Sequence, residues 1–452
     1  MTVAAVMTHR HFLRSLFALV IPIALQNLLA ALVLSADILM LGLVGQSAMA
    51  AVSLAGQVTF FLSLFYFGLA MGVGIMTAQY WGKGDKGSIE IVLSFAQGLS
   101  TGISAIAFVT TLVAPQATMG LLTNDPQLIH YGSLFLQTVA PSYLAMGLSQ
   151  MYLSAMRSME KARFSAVVSS VGLLVTIGLD ALIILVLFPG RHDLAILGVG
   201  VATSIARFVE LIVCGIHSRT QNGLRTHWRK RSQEGAQLQR DYLRFTLPVL
   251  GNFLVWGGAL TATAGVMGHA SADMVAANSV ASALRNLAIV ICTGIASGGA
   301  VLVGKYLGAG DMSGAKKSGD WILLYATGFG VLACLSLLMT SPLVLDSVQL
   351  TETASNILSG MLLISSFYCI AKALNSTIIG GIFPAGGDPR FGFWIDTIVM
   401  WGLTIPLSVL AGFVWKWPAL ALYLVISMDE FLKLPVALAR YRRYRWLNQI
   451  TR

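Results

Sequence analysis

The sequence predicts an all-α polytopic membrane protein: twelve transmembrane helices in two parallel-related six-helix lobes. Three observations lead there. Hydrophobic residues make up 56% of the 452 and charged residues only 11%, whereas a soluble domain carries about 25% charge. The apolar runs extend over roughly 20–30 residues, the length of a membrane-crossing helix. The first half also recurs in the second at a fixed offset of 226 residues, the separation of Pro22 from Pro248. Gly42, Gly68, Gly72, Tyr80, Gly82, Gly84 and Asp85 reappear without a gap as Gly268, Gly294, Gly298, Tyr306, Gly308, Gly310 and Asp311.

The first apolar run, 12–43, is longer than a signal-peptide core, and no small-residue cleavage site follows it. It reads as a retained span. The twelve spans fall near 12–41, 51–78, 89–113, 129–154, 162–188, 194–216, 241–267, 274–304, 317–340, 354–383, 391–413 and 418–440. Weak alternation argues against an outer-membrane barrel. On this assignment 23 of the 29 Lys and Arg residues lie on one side, and only Arg191 and Lys416 on the other. The positive-inside rule then places both termini in the cytoplasm, in an inner or plasma membrane. The net charge of +10 is accordingly topogenic and does not point to nucleic acid. Six spans per repeat is an even number, so the halves share one orientation about an axis along the membrane normal. The expected organisation is an N-terminal lobe over 1–216, a cytoplasmic linker over 217–240 and a C-terminal lobe over 241–452. The linker run His227-Trp228-Arg229-Lys230-Arg231 suits a solvated surface helix or loop.

The loops after spans 2 and 8 read Gly82-Lys83-Gly84-Asp85 and Gly308-Ala309-Gly310-Asp311. Glycine permits a tight reversal and Asp can cap the next helix. Pro22, Pro141, Pro248 and Pro406 fall inside spans, where neighbouring helices satisfy the freed backbone groups. Cys214, Cys292, Cys334 and Cys369 sit in apolar runs without metal-ligand spacing, and read as buried free thiols.

One acidic residue breaks the repeat: Asp37 has Thr263 as its counterpart. An Asp near a helix centre costs roughly 2.5–3.5 kcal/mol on insertion scales, so a partner, water or a function accompanies it. Asp37 lies about 35 Å beyond Arg14 along an ideal helix, and Asp180 about 26 Å beyond Arg163. Both depths fall in the outer half of the membrane, where the two carboxyls either share one polar site or simply meet interfacial water. Thr176 lies one turn deeper than Asp180 on the same face. Two carboxyls in one site exchange protons as a coupled unit. Arg207, Arg285, Lys372, Asp396 and Lys433 also fall within spans. The Asp429–Lys433 spacing suits a local pair. Lys372 either pairs with Asp396 or lines a cavity, where its charge would favour zwitterions or anions. Gln26, Asn27, Gln57 and Tyr66 in spans 1–2, and Trp256, Asn278 and Asn286 in spans 7–8, are cavity candidates. Helix packing is the alternative role for each.

Taken together, these features resemble the multidrug and toxic compound extrusion (MATE) family. The resemblance rests on Ser-Ala-Asp37-Ile-Leu-Met-Leu-Gly-Leu-Val-Gly, Ala50-Ala51-Val52 and Gln79-Tyr80-Trp81-Gly82-Lys83-Gly84-Asp85. Gly178-Leu179-Asp180, Gly198-Val199-Gly200-Val201-Ala202-Thr203 and Gly386-Gly387-Asp388-Pro389-Arg390-Phe391 add to it. It implies a V-shaped pair of lobes around a central cavity, and export of organic cations in exchange for protons or sodium ions. In the DinF-like and archaeal branches coupling belongs to N-terminal carboxylates, a pattern matched by Asp37 and Asp180. The family's span-6 Thr matches Thr203. Thr176 stands where relatives often carry Asn, which leaves fewer amide ligands for sodium. The NorM-like branch uses acids in spans 7 and 10, where this chain has Phe253, Lys372 and Asn375.

The expected function is secondary-active export of small amphiphilic molecules, organic cations as the resemblance implies, by antiport with protons or sodium ions through Asp37 and Asp180. The expected protein is a monomer in lipid, with no enzymatic activity, organic cofactor, metal or nucleic-acid partner. No metal cluster, nucleophile elbow or Walker motif appears in the sequence. A lipid-linked oligosaccharide flippase or metabolite exporter of the same superfamily is the alternative.

Overall fold

A computed structural model describes residues 9–220, 223–226, 233–348 and 350–451. The basic run at 227–231 lies outside the described residues. Among the described residues the chain is helical throughout, without a strand. Twelve spans and one short helix, Pro115–Gly120, account for it. Spans 1 to 3 are His9–Val44, Gln46–Lys83 and Lys86–Val113. Spans 4 to 6 are Pro126–Ser158, Ala162–Leu187 and His192–Ser218. Span 7 is Gln233–Ala270, and span 8 runs as Ala272–Ala288 and Val290–Gly308. Spans 9 to 12 are Met312–Ser347, Glu352–Ala385, Pro389–Val414 and Ala419–Arg442.

Ten of these are long and apolar enough to cross a membrane by length and composition alone. The other two are the polar ones. Span 4 buries Ser133, Ser142, Ser149, Ser154 and Ser158, and span 12 buries Asp429, Glu430 and Lys433. Their polar groups face protein, the arrangement a helix needs when it carries such groups through lipid.

Capping sets the helix starts. Asp85 Oδ1 accepts from Ser88 N at 3.0 Å, and Asp311 Oδ1 from Gly314 N at 2.8 Å. The preceding glycines, Gly84 and Gly310, have φ of +82° and +78°. Both loops are thus the predicted glycine reversals followed by an Asp cap, repeated in both halves. Asp125, Ser271 and Thr351 cap spans 4, 8 and 10 in the same way. Pro22, Pro141 and Pro248 lie inside helices. Pro406 follows a π-helical stretch, Thr397–Thr404, whose wider turns accommodate the missing donor.

The chain packs as two compact units. One comprises Leu25–Thr77 and Asp85–Leu243. The other comprises the chain up to Ala24, Ala78–Gly84, and Arg244 onward. Packing therefore departs from the sequence halves at the start of span 1 and the end of span 2. Glycine is the reason. A Cβ at Gly298 would crowd Leu19 and Val20, and one at Gly294 would crowd the Val20 carbonyl. At the end of span 2 the contacts are reciprocal under the repeat. A Cβ on Gly82 would strike the Lys305 carbonyl, and one on Gly308 would strike the Gln79 carbonyl. Gly304 meets its own repeat mate, Ala78. Residues 79 and 305 are themselves repeat mates, so a local two-fold relates the two helix ends.

The segment after span 12 closes this unit. Trp446 is fully buried and stacks on Tyr441 at 5.6 Å. Gln79 Nε2 donates to the Ala385 and Asn448 carbonyls at 2.8 and 3.2 Å, and its Oε1 accepts from Ile450 N at 2.8 Å. Gly386 lies against the Trp446 carbonyl with no room for a Cβ. Overpacking of this kind costs typically about 1–3 kcal/mol, so Gly386→Ala lowers the melting temperature of the detergent-purified protein. Gly102→Ala on span 3, where nothing lies within 4 Å, leaves it unchanged or raises it. Equal melting of Gly386→Ala and wild type would contradict the packing of the tail.

Candidate functional site

Asp37 and Asp180 both belong to the unit that contains Leu25–Thr77 and Asp85–Leu243. Span 1 runs on past Asp37 to Val44. Span 5 passes Asp180 into a π-helical turn, Leu182–Leu187. The ends of the two spans meet. Leu43 and Val44 line a cavity of about 280 Å³ together with Ile184, Leu185, Phe188, Pro189 and Gly190. Asp37 sits less than two turns before Leu43, and Asp180 about one turn before Ile184, so the carboxyls lie at similar depth.

Asp180 is 2% exposed, and Asp37 is half-buried. The Oδ1 atom of each is buried and accepts no hydrogen bond. A buried carboxyl oxygen without a donor is costly as an anion. That cost is removed when the group holds a proton or an ion. The two predicted hydroxyl partners are differently placed. Thr176 Oγ1 donates to the Gly172 carbonyl at 3.1 Å, and Thr203 Oγ1 to the Val199 carbonyl at 3.0 Å. Each hydroxyl proton is committed to its own helix, so only oxygen lone pairs remain to face a site. Gly198 lets span 6 close on Ile183 of span 5, and Gly200 lets it close on Thr138 of span 4.

The cavity candidates separate. Tyr66 is fully buried. Its hydroxyl lies 2.6 Å from Ser104 Oγ and donates to the Tyr143 carbonyl at 3.0 Å. It ties spans 2, 3 and 4 together and does not line an opening. Gln57, Asn27 and Asn286 are exposed, Gln26 Oε1 is buried without a donor, and Asn278 accepts from Ser282 at 3.3 Å. Trp256 is half-buried, 6.0 Å from the Lys372 ammonium.

The other unit holds the largest charged network among the described residues. Lys433 Nζ lies 3.1 Å from Asp396, 3.2 Å from Asp429 and 3.1 Å from Glu430. Lys372 Nζ lies 2.8 Å from the same Glu430 oxygen. Asn375 donates to Glu430 Oε2 at 2.8 Å, and Asn252 to Asp396 Oδ2 at 2.6 Å. The expected Asp429–Lys433 contact exists within this larger cluster. Of the two roles open to Lys372, pairing with Asp396 does not occur, because span 12 places Glu430 against Lys372 and Lys433 against Asp396. Lys372 is thus a paired charge rather than an isolated one.

Glu430 is the residue that sequence reasoning passed over, as a neighbour of a local pair. Two signals point to it. Three charges within five residues of one span exceed what a lipid-facing helix tolerates. The repeat offset also aligns Lys433 with Arg207, and each anchors a buried acid. Arg207 Nη1 lies 3.0 Å from Glu210, with Arg157 also acting on that carboxylate. The four cysteines are free and buried, as their apolar surroundings predict.

The profile of the MatE family matches residues 22–182 and 248–410, the two repeats. Over 459 residues the chain is 24% identical to the "Uncharacterized transporter YisQ" of Bacillus subtilis, covering 96% of this chain and 95% of that one. It is 22% identical over 451 residues to the "Probable multidrug resistance protein NorM" of Mesorhizobium japonicum, covering 96% and 94%. In structure it resembles a mutant of the Vibrio cholerae MATE transporter VcmN. The TM-score is 0.85 at 16% identity, with 96% and 97% of the chains covered.

Proposed function

The chain belongs to the MatE family of transporters, and from that premise we propose that it is a secondary-active exporter of small amphiphilic organic cations. In this reading efflux is driven by inward movement of protons, or of sodium ions, through Asp37 and Asp180. The observation that carries it is the pair of carboxyls at similar depth whose buried Oδ1 atoms have no donor. Such a pair stores one charge poorly and two worse, so uptake of a cation from outside is favoured. Thr176 stands where relatives often carry Asn, which leaves one amide ligand fewer for sodium and supports the proton. Curated relatives named as multidrug resistance proteins support the substrate class.

Proton entry at Asp37 and Asp180 rearranges span 1 and releases substrate outward; proton loss to the cytoplasm restores affinity for a cation. Pro22 supports a bend there. It interrupts the helix ladder just before Ala24–Leu25, where the chain passes from one packing unit to the other. The membrane is the inner or plasma membrane, with both termini cytoplasmic by the positive-inside rule. The working unit is a monomer in lipid.

The deciding experiment uses everted vesicles, a cationic dye, and proton and sodium gradients imposed separately. Dye accumulation driven by the proton gradient is the expected result. Accumulation driven by sodium alone would reassign the ion. A response to neither would overturn the antiporter reading in favour of a flippase.

A further inference from the structure

The charged network around Lys433 has one member that is not sealed. The Lys372 side chain keeps 23% of its surface exposed, whereas its partner Glu430 keeps 2% and Lys433 keeps 3%. Glu430 does not depend on Lys372 for its geometry. Asn375 holds Oε2 at 2.8 Å, and Lys433 lies 3.1 Å from Oε1. Lys433 is shared among three carboxylates, so without the Lys372 ammonium the cluster has three acids around one lysine. Nearby, Arg285 donates to Tyr423 at 3.1 Å and lies over the Tyr368 ring at 5.0 Å. The Lys372 ammonium therefore neutralises part of an acid-rich cluster, and its position favours a positive charge. Two further groups stand by it. The Trp256 ring is 6.0 Å away, and Asn375 Oδ1 is buried with no donor, on a side chain 3% exposed.

We propose that Lys372 is a tethered stand-in for the substrate cation, and that Glu430 binds an organic ammonium in its place, against the face of Trp256. The idea rests on the exporter reading above. Removing one partner of a buried ion pair is expensive, but exchanging one ammonium for another leaves no bare carboxylate. The lysine stem is flexible and carries its charge to the exposed side when displaced. A neutral or anionic molecule cannot complete this exchange, so the site selects for positive charge by difference. Trp256 favours alkylated cations, whose weak hydration suits an aromatic face.

The test is equilibrium binding of a cationic rhodamine to the full-length protein in detergent, with fluorescein as the anionic probe. Lys372→Gln removes the internal competitor, so rhodamine binds about tenfold tighter, the weight of one charge-assisted contact. Lys372→Arg keeps the competitor and binds as wild type does. Trp256→Ala weakens rhodamine binding severalfold and lies outside the buried network, so it decides the matter if Lys372→Gln does not fold. Unchanged or weaker rhodamine binding in Lys372→Gln, or unchanged binding in Trp256→Ala, overturns the proposal. Export of rhodamine by wild-type vesicles separates the two failures. If wild type exports it and the variants bind as wild type, only the stand-in is wrong. If wild type binds fluorescein and not rhodamine, the cation-exporter reading fails as well.

Discussion

Replacing Asp180 by Asn abolishes gradient-driven efflux while leaving a folded protein that still binds dye, and Asp37→Asn does the same. The side chains keep their size. An uncharged amide is also cheaper to bury than a carboxylate with no donor on Oδ1, so neither substitution threatens the fold. What disappears is a group that takes up and returns a proton. A positioned proton carrier is worth on the order of 100-fold or more in rate, and the same order of loss is expected in the initial rate of dye accumulation. Because the proposed proton path runs through both carboxyls, the double variant is no worse than either single one. Undiminished proton-driven accumulation by Asp180→Asn vesicles would remove it from the coupling path. Losses that multiply in the double variant would mean that the two residues act separately.

Lys433→Met has the larger effect on stability. In the wild type one ammonium sits within 3.2 Å of three carboxylates, deep inside one packing unit. Breaking a buried ion pair by removing one partner costs about 3–5 kcal/mol. Here three partners are affected, so little folded protein remains after heating to temperatures the wild type survives. A second change distinguishes charge from packing. Adding Asp429→Asn to Lys433→Met removes one of the stranded carboxylates and recovers part of the loss. Thermal melting followed by size-exclusion chromatography reads both variants. A Lys433→Met protein as stable as wild type would show that the network carries no net weight, as some buried ion pairs do not.

Much of this architecture is legible in the sequence because it is written in local chemistry. Hydropathy over a 20-residue window depends only on that window, so the spans emerge near their observed positions. Gly84–Asp85 and Gly310–Asp311 act within four residues of themselves, and their turns and caps follow. The failure of the repeat at Asp37 can be seen with no structure at all. Spans 4 and 12 are the least apolar of the twelve. Span 12 looks too charged for lipid until its charges are seen to face inward.

The sequence by itself determined the helical class, the number of spans, the duplication and the asymmetry of Asp37 against Thr263. Only the tertiary structure decided which charge meets which. Lys372 and Glu430 are 58 residues apart, and their meeting depends on how spans 10 and 12 are rotated about their axes. A rotation of one residue position, about 100° on an ideal helix, would have presented Asp429 instead. The structure likewise decided that the start of span 1 and the end of span 2 pack with the C-terminal half. That outcome rests on glycines at 294, 298, 304 and 308, whose missing Cβ atoms admit another backbone. Hydropathy does not encode such close approaches, because they are properties of two surfaces fitted together and not of either segment alone.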